Sequence, residues 1–455
     1  MDILLTHAYY LAHDTAEQRV MKPYAPLGIL SIAAYLTRQG FSAQVFDATF
    51  GTPQEFAALL DRLHPPVVGI YITMMTKFAA LAMIAEAREA GAFVLVGGPE
   101  PPHYAEEFLA AGAGAVVIGE GELTVTELLR LPECTPGALR TVAGLVFRDA
   151  DGSVFRTSPR AQIADLDTLP IPDRSKVPIS RYRSAWLQHH GYSSLSLISM
   201  RGCPYTCKWC SHAVYGETYR RRSPSLFLEE LATIAAEYRP DAFWFADDVF
   251  TINHRWFFRF VEEVRHHGLK FRYECITRAD RMNEEVVKGL VATGCQRVWI
   301  GSESGSQRIL DAMSRGVKVE EVQAMTRLAR RYGIDVGMFV MLGYPGETRA
   351  DIEATVRHVK RANPDVILTT VAYPIKGTPF YEESKGDLIL PELPFNEWND
   401  RMIDLAGRYS KRFYWFANRR IINEAAWHRR AGGRLETARA FLKAKTALVG
   451  MYLTS

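Results

Sequence analysis

The 455-residue chain has little cysteine, six residues in all, with three crowded into one loop and Cys134, Cys275 and Cys295 scattered singly. That distribution excludes a secreted disulfide framework and points to a reducing compartment, the cytoplasm. Long apolar runs are also missing. None approaches the ~18 residues that would span a bilayer, and Met1-Asp2-Ile3-Leu4-Leu5-Thr6 lacks the basic-then-apolar form of a secretory signal. Charge of one sign does not dominate: a net +3 is nearly neutral at this length, so no nucleic-acid partner is expected. Gly-x-Gly-x-x-Gly is absent from the first strand–helix turn, which removes the phosphate cradle of a dinucleotide site. What remains is an ordinary globular composition, 48% hydrophobic and 23% charged, long enough for two or three domains.

The three crowded cysteines lie in Met200-Arg201-Gly202-Cys203-Pro204-Tyr205-Thr206-Cys207-Lys208-Trp209-Cys210-Ser211-His212. Spacings of four and three let one short loop aim three thiolates at a common point. Soft thiolates select an iron–sulfur cluster or zinc over a hard cation. With His212 as a fourth ligand the set describes a closed Cys₃His zinc staple. With three ligands only, it describes a [4Fe–4S] cluster whose fourth iron is open to bind a small molecule. Spacing alone leaves both readings standing.

Before this loop, residues 2–130 alternate short apolar runs with helical patterns. Ile3–Thr6, Ala43–Phe46, Val67–Ile72, Phe93–Val96 and Ala115–Ile118 read as buried strands. The alternation predicts a doubly wound, Rossmann-like parallel sheet with ligands beyond the strand C-termini. Asp149-Ala150-Asp151-Gly152 marks a hairpin, and the Pro- and Asp-rich stretch 165–173 a linker. From Ser194 six further βα units follow, with strands at Ser194–Ser199, Ala242–Ala246, Phe271–Thr277, Arg297–Ile300, Asp335–Met341 and Val366–Ala372. The expected division is a Rossmann-like domain over 1–140, hairpin and linker over 141–192, a partial (β/α)₆ barrel over 193–384, and a mainly helical segment over 385–455.

Cys203-x₃-Cys207-x₂-Cys210, with Trp209 just before the last cysteine, resembles the signature of radical S-adenosylmethionine (SAM) enzymes. The resemblance implies a [4Fe–4S] cluster on Cys203, Cys207 and Cys210. It also implies that SAM bound at the open iron is cleaved to a 5′-deoxyadenosyl radical that abstracts hydrogen. The turns Gly97-Gly98-Pro99-Glu100 and Gly119-Glu120-Gly121-Glu122, with Pro26-Leu27-Gly28-Ile29, resemble the cobalamin-binding domain of one large subclass of this family. The Asp-x-His-x-x-Gly motif is not present, which is common in that subclass. By the same resemblance cobalamin is expected against Thr73, Met74, Met75, Thr76, Gly97, Gly98, Pro99, Glu100, Gly119, Glu120 and Gly121. SAM is expected against Asp247 or Asp248 at its ammonium, Arg278 at its carboxylate and Glu303 at its ribose. Trp209 and the turn from Gly343 to Gly346 are expected near its adenine.

These readings imply a cobalamin-dependent radical SAM enzyme, first a methyltransferase acting on an unactivated carbon through methylcobalamin. The same cofactors also serve ring closure or rearrangement, as in the anaerobic cyclase that builds the fifth ring of chlorophylls. A zinc-stapled scaffold is the rival from another class. The expected partners are a small apolar or anionic substrate and an electron donor such as flavodoxin or ferredoxin. Arg220-Arg221-Arg222 either holds an anionic substrate or pairs with acids. The aromatic and basic C-terminal segment reads as helices against the barrel, as a cap over substrate, or as a patch resting on a membrane surface.

Overall fold

The computed structural model describes residues 1–430 and 433–454. The chain forms two compact units, one of residues 1–204, 211–242 and 391–402, the other of 205–210, 243–390 and 403–455.

In the first unit the apolar runs become five parallel strands: β1 (Ile3–His7), β2 (Ala43–Phe46), β3 (Val67–Tyr71), β4 (Phe93–Gly97) and β5 (Ala115–Val117). Their order is β2-β1-β3-β4-β5. The hairpin forms as β6 (Leu145–Arg148) and β7 (Val154–Arg156), which pair antiparallel onto β5 and extend the sheet rather than standing apart as linker. Both faces are covered. Phe56, Ile84 and Phe108 close one side, and Ile29, Val125 and Phe147 the other. Parallel strands buried on both faces need such continuous apolar runs.

All six strands anticipated for the second half form. The first, β8 (Ser194–Leu197), belongs to the first unit, as do the short antiparallel pair β9 (Met200–Arg201) and β10 (Arg220–Arg221). The second unit carries a parallel sheet of β11 (Ala242–Phe245), β12 (Tyr273–Thr277), β13 (Cys295–Glu303), β14 (Asp335–Leu342) and β15 (Val366–Val371) in sequential order. Strand β13 runs three residues past its expected end at Ile300, because a register shift between Gly301 and Glu303 keeps it paired to β14. The helices Lys411–Arg429 and Arg434–Leu453 pack on one another, with Gly450 against the Phe416 ring and the Trp427 and Phe441 rings 4.8 Å apart.

Candidate active site

Where the parallel strands of the first unit end, their turns line a half-open cavity of about 650 Å³, the solvent-filled mouth included. Its wall is built from missing side chains. A Cβ at Gly69 would meet Leu5 at 2.8 Å and one at Gly121 would meet Ile32 at 2.7 Å. Gly98 has φ +106, and a Cβ there would lie 2.5 Å from the Ile72 carbonyl, so only glycine fits. Of the residues expected at cobalamin, Gly97, Gly98, Gly119, Glu120 and Gly121 line this cavity, together with Gly28 and Tyr71. The turn from Thr73 to Thr76, Pro99 and Glu100 do not line it.

A buried ion network closes one side. Arg201 donates to Glu120 at 2.7 Å and to Glu122 at 2.5 Å, while Arg220 reaches the other Glu120 oxygen at 2.6 Å. Glu120 also accepts from the Ile163 amide at 2.9 Å. The paired carboxylates hold Arg201 firmly in its charged form, above the ordinary arginine range, although burial opposes this. The triple arginine is thereby accounted for: Arg220 pairs with Glu120, Arg221 donates to Ser199, and Arg222 donates to the Leu169 and Pro170 carbonyls. It is an acid-pairing and loop-tethering element. Arg201 stands two residues before Cys203, and neither its role nor that of Glu122 was visible in the sequence.

The turn from Thr73 to Thr76 has a different neighbour. Residues 395–402 lie on it, with Asn399 donating to the Met74 carbonyl and Arg401 Nη1 3.2 Å from Met75 Sδ. Lys77, fully buried, holds its ammonium over the Phe395, Trp398 and Tyr104 rings at 3.5, 4.5 and 5.0 Å. Tyr104 in turn donates to Asp400 at 2.5 Å.

In the second unit, residues 205–210 carry two of the three clustered cysteines. The Lys208 amide donates to the Met313 carbonyl and its carbonyl accepts from the Phe380 amide, which pins the loop from both sides. Trp209 packs with Met313, Met341, Tyr344 and Phe380. Arg278, at the end of β12, stacks its guanidinium 3.5 Å from the Tyr205 ring centre and brings Nη1 within 3.9 Å of Cys207 Sγ. It also pairs with Asp280 at 2.8 Å and donates to the Arg315 carbonyl, so it clamps the cysteine loop. Asp247 is buried at the end of β11, and Asp248 is exposed. Glu303 ends β13 with φ +59, a left-handed conformation costly for a non-glycine residue. Burial pushes its carboxyl up to about 8; the Cys207 thiolate adds to the rise and Arg278 opposes it.

Gly343 (φ +73) donates its amide to Glu347 at 2.6 Å, and Tyr414 fills the space beside it. Gly346 (φ +76) gives its carbonyl to Arg308. Glu347, the residue just after the turn singled out in the sequence, is pushed up to about 7 by burial despite the Gly343 hydrogen bond. Among the described residues no three His, Cys, Asp or Glu side chains stand preassembled as a metal-ligand group. The donors nevertheless fit a cluster chemically, as three thiols outside any disulfide on one short loop, with Cys207 buried and Cys203 and Cys210 half-buried. Gly202 (φ +81) takes the turn into this loop, where a side chain would strike the Thr218 carbonyl.

A Cys-x₃-Cys-x₂-Cys loop beside a parallel-sheet unit, in a chain that also carries a strand-end cavity in a doubly wound unit, defines the class of cobalamin-binding radical SAM proteins. Residues 197–359 match the Radical SAM superfamily and residues 19–129 the B12 binding domain. An uncharacterized methyltransferase of Pyrococcus horikoshii is 30% identical over 386 residues, covering 83% of this chain and 82% of the relative. The anaerobic magnesium-protoporphyrin IX monomethyl ester cyclase of Cereibacter sphaeroides is 25% identical over 406 residues, covering 85% of this chain and 64% of the relative. Among solved structures, the radical SAM methyltransferase TsrM of Kitasatospora setae with cobalamin and a [4Fe-4S] cluster shares the fold. Its TM-score is 0.70 at 20% identity, over 86% of this chain and 76% of that one. The chain belongs to the radical SAM superfamily, in the branch that carries a B12-binding domain. It is an enzyme whose cofactors are a [4Fe–4S] cluster, SAM and cobalamin. The zinc-stapled scaffold is thereby overturned, and His212 lies instead beside Gln162 and Val214 in a second cavity of the first unit.

Proposed function

We propose that the protein is a cobalamin-dependent radical SAM C-methyltransferase acting on an unactivated carbon of an apolar or anionic small molecule. The observation that carries this reading is the glycine-walled cavity of the B12-binding domain, in a chain whose 30%-identical relative is named a methyltransferase. When bound, the cluster and SAM supply a hydrogen-abstracting radical and cobalamin carries the methyl group. The chain's own work is positioning and shielding. Gly97, Gly98, Gly119 and Gly121 let a large cofactor approach the backbone, and Arg201 with Glu120 and Glu122 fixes the turn that lines it. Arg278 and Tyr205 hold the cysteine loop, and Trp209, Tyr344 and Phe380 form an apolar surface that excludes water. We assign Asp247 or Asp248, Arg278, Glu303, Gly343 and Gly346 to SAM, within a barrel over 193–384. A flavodoxin- or ferredoxin-like donor in a reducing cytoplasm supplies the electron.

The test is product stoichiometry under anaerobic conditions with SAM, cobalamin and reductant. Methylation consumes two SAM molecules per turnover, one giving S-adenosylhomocysteine and one giving 5′-deoxyadenosine. A second reading, ring closure, is favoured by the 25% identity to the cyclase over 406 residues. It gives 5′-deoxyadenosine with no stoichiometric S-adenosylhomocysteine, and that result refutes the methyltransferase. Replacing Cys203, Cys207 or Cys210 by Ala removes iron and both products, whereas Cys134→Ala, Cys275→Ala and Cys295→Ala keep the cluster.

A further inference from the structure

The helix Arg434–Leu453 exposes a row of apolar side chains at seven-residue intervals. Leu435, Leu442 and Val449 are 64%, 61% and 57% exposed, and Leu453 at its end is 79% exposed. At about 100° per residue these four, with Ala438, fall within a stripe about 60° wide along a helix of about 30 Å. Cations flank the stripe on both sides. By the same spacing Arg439 and Lys443 lie along one margin and Arg434 and Lys445 along the other, and all four are exposed. The opposite face is spent on packing, since Ala444, Ala447, Gly450 and Met451 are buried. The preceding helix repeats the device: Trp415 and Ile422, also seven apart, are 53% and 41% exposed, and Arg419 lies over the Trp415 ring at 4.6 Å.

The charge is as uneven as the exposure. Residues 411–453 hold ten Lys and Arg against two Glu, in a chain whose net charge is only +3, so the rest of the molecule is net negative. An apolar stripe bordered by cations is the pattern of a helix lying in a membrane interface, its Lys and Arg stems reaching outward to phosphate. Among the described residues no helix is long and apolar enough to cross a bilayer. A second copy of the chain fits this face poorly, because it would bring two strongly basic hairpins together.

We propose that the paired helices Lys411–Arg429 and Arg434–Leu453 form a docking surface for an anionic lipid bilayer, with Leu435, Leu442, Val449 and Leu453 entering the headgroup boundary. Arg434, Arg439, Lys443 and Lys445 meet lipid phosphates. The surface is separate from the cofactor chemistry, so its test needs no turnover.

The experiment is flotation of the full chain with vesicles of phosphatidylcholine, alone or with about one-third phosphatidylglycerol. The chain is expected to float with the anionic vesicles and to partition about ten-fold less onto the neutral ones. Raising salt from about 0.1 to 0.5 M should release it. L435D/L442D, at exposed positions that leave the packed face intact, should reduce partition at least ten-fold, and R439E/K443E should do the same while leaving circular dichroism unchanged. Equal binding to both vesicle types, or binding unaffected by L435D/L442D, overturns the proposal. So does absence of flotation, whether the protein is monomeric or forms a concentration-dependent dimer that L442D dissolves; the dimer would assign the stripe to a second copy instead.

Discussion

Arg201→Met tests whether the cavity of the B12-binding domain is held by charge. The substitution keeps the length of the side chain and removes both donors. Glu120 retains Arg220 and the Ile163 amide, but Glu122, 3% exposed and bonded to Arg201 at 2.5 Å, is left buried with its counter-charge gone. Removing one partner of a buried pair costs about 3–5 kcal/mol, most of it the penalty on the charge left behind. In a chain of two compact units a single melting temperature does not isolate a local change. Native-state hydrogen exchange read on peptides covering β5 and the Gly119–Glu122 turn reports the local opening instead. There a loss of 3 kcal/mol appears as protection lowered by about two orders of magnitude, since about 1.4 kcal/mol is ten-fold. Adding Glu122→Gln should restore part of the loss, with a coupling of about 1–3 kcal/mol. Arg201→Lys should rescue weakly, because an ammonium lacks the planar fork that spans two carboxylates. Protection changed by less than about ten-fold in Arg201→Met, or no coupling to Glu122→Gln, would refute the argument that this network sets the turn.

Two further predictions separate folding from cofactor binding and test the barrel's buried histidine. Gly28 lines the cavity from within a helix, and a Cβ there would find only Tyr71, at 4.0 Å. Gly28→Leu should therefore raise helix stability by up to about 1 kcal/mol while filling the cavity, so cobalamin uptake in an absorbance titration falls at least about 100-fold in a normally folded protein; unchanged uptake would place cobalamin elsewhere. His358, bonded to Ser302 at 2.8 Å and Gln323 at 3.1 Å, is lowered by burial to about 4 from an ordinary 6.5. A depressed histidine favours folding fully above about pH 6.5, and the contribution is lost as pH falls toward 4, because the unfolded chain takes up the proton first. Between pH 7 and 5 that amounts to about 2 kcal/mol, read as the shift in urea denaturation of the second unit. The slope should disappear in His358→Gln, and a wild-type curve flat over this range would contradict the burial argument.

The strands were legible because each is a short, nearly continuous apolar run, and the structure moves most of their ends by one or two residues. The exception, β13, is instructive. Polarity at Ser302 and Glu303 marked a loop, yet a register shift carries β13 through them, and His358 and Arg315 receive the polar groups. The hairpin at Asp149–Gly152 was legible as a turn, but its attachment to β5 depends on an open sheet edge that no local pattern announces. The cysteine loop was legible for the opposite reason: its chemistry is written within eight residues. Arg201 stands in the same quoted stretch and was passed over, since its partners are 79 and 81 positions away.

Lys77 marks the limit of local reading most sharply. Burying an ammonium costs several kcal/mol, so a fully buried lysine requires compensation, and rings supply part of it. A desolvated cation–aromatic contact supplies about 2 kcal/mol, and Lys77 has three rings within 5.0 Å, two of them from Phe395 and Trp398. The segment that provides those rings also bonds Met74 and touches Met75, more than 320 positions earlier in the chain. The turn from Thr73 to Thr76 was selected because of where a strand ends. Thr73 and Thr76 close it with their own hydrogen bonds, and it is covered by a segment that sequence reading had assigned to a C-terminal helical extension. The strand explains why a turn exists at that point; the aromatic strap explains why this one, with a charged residue beside it, is covered rather than open to a ligand.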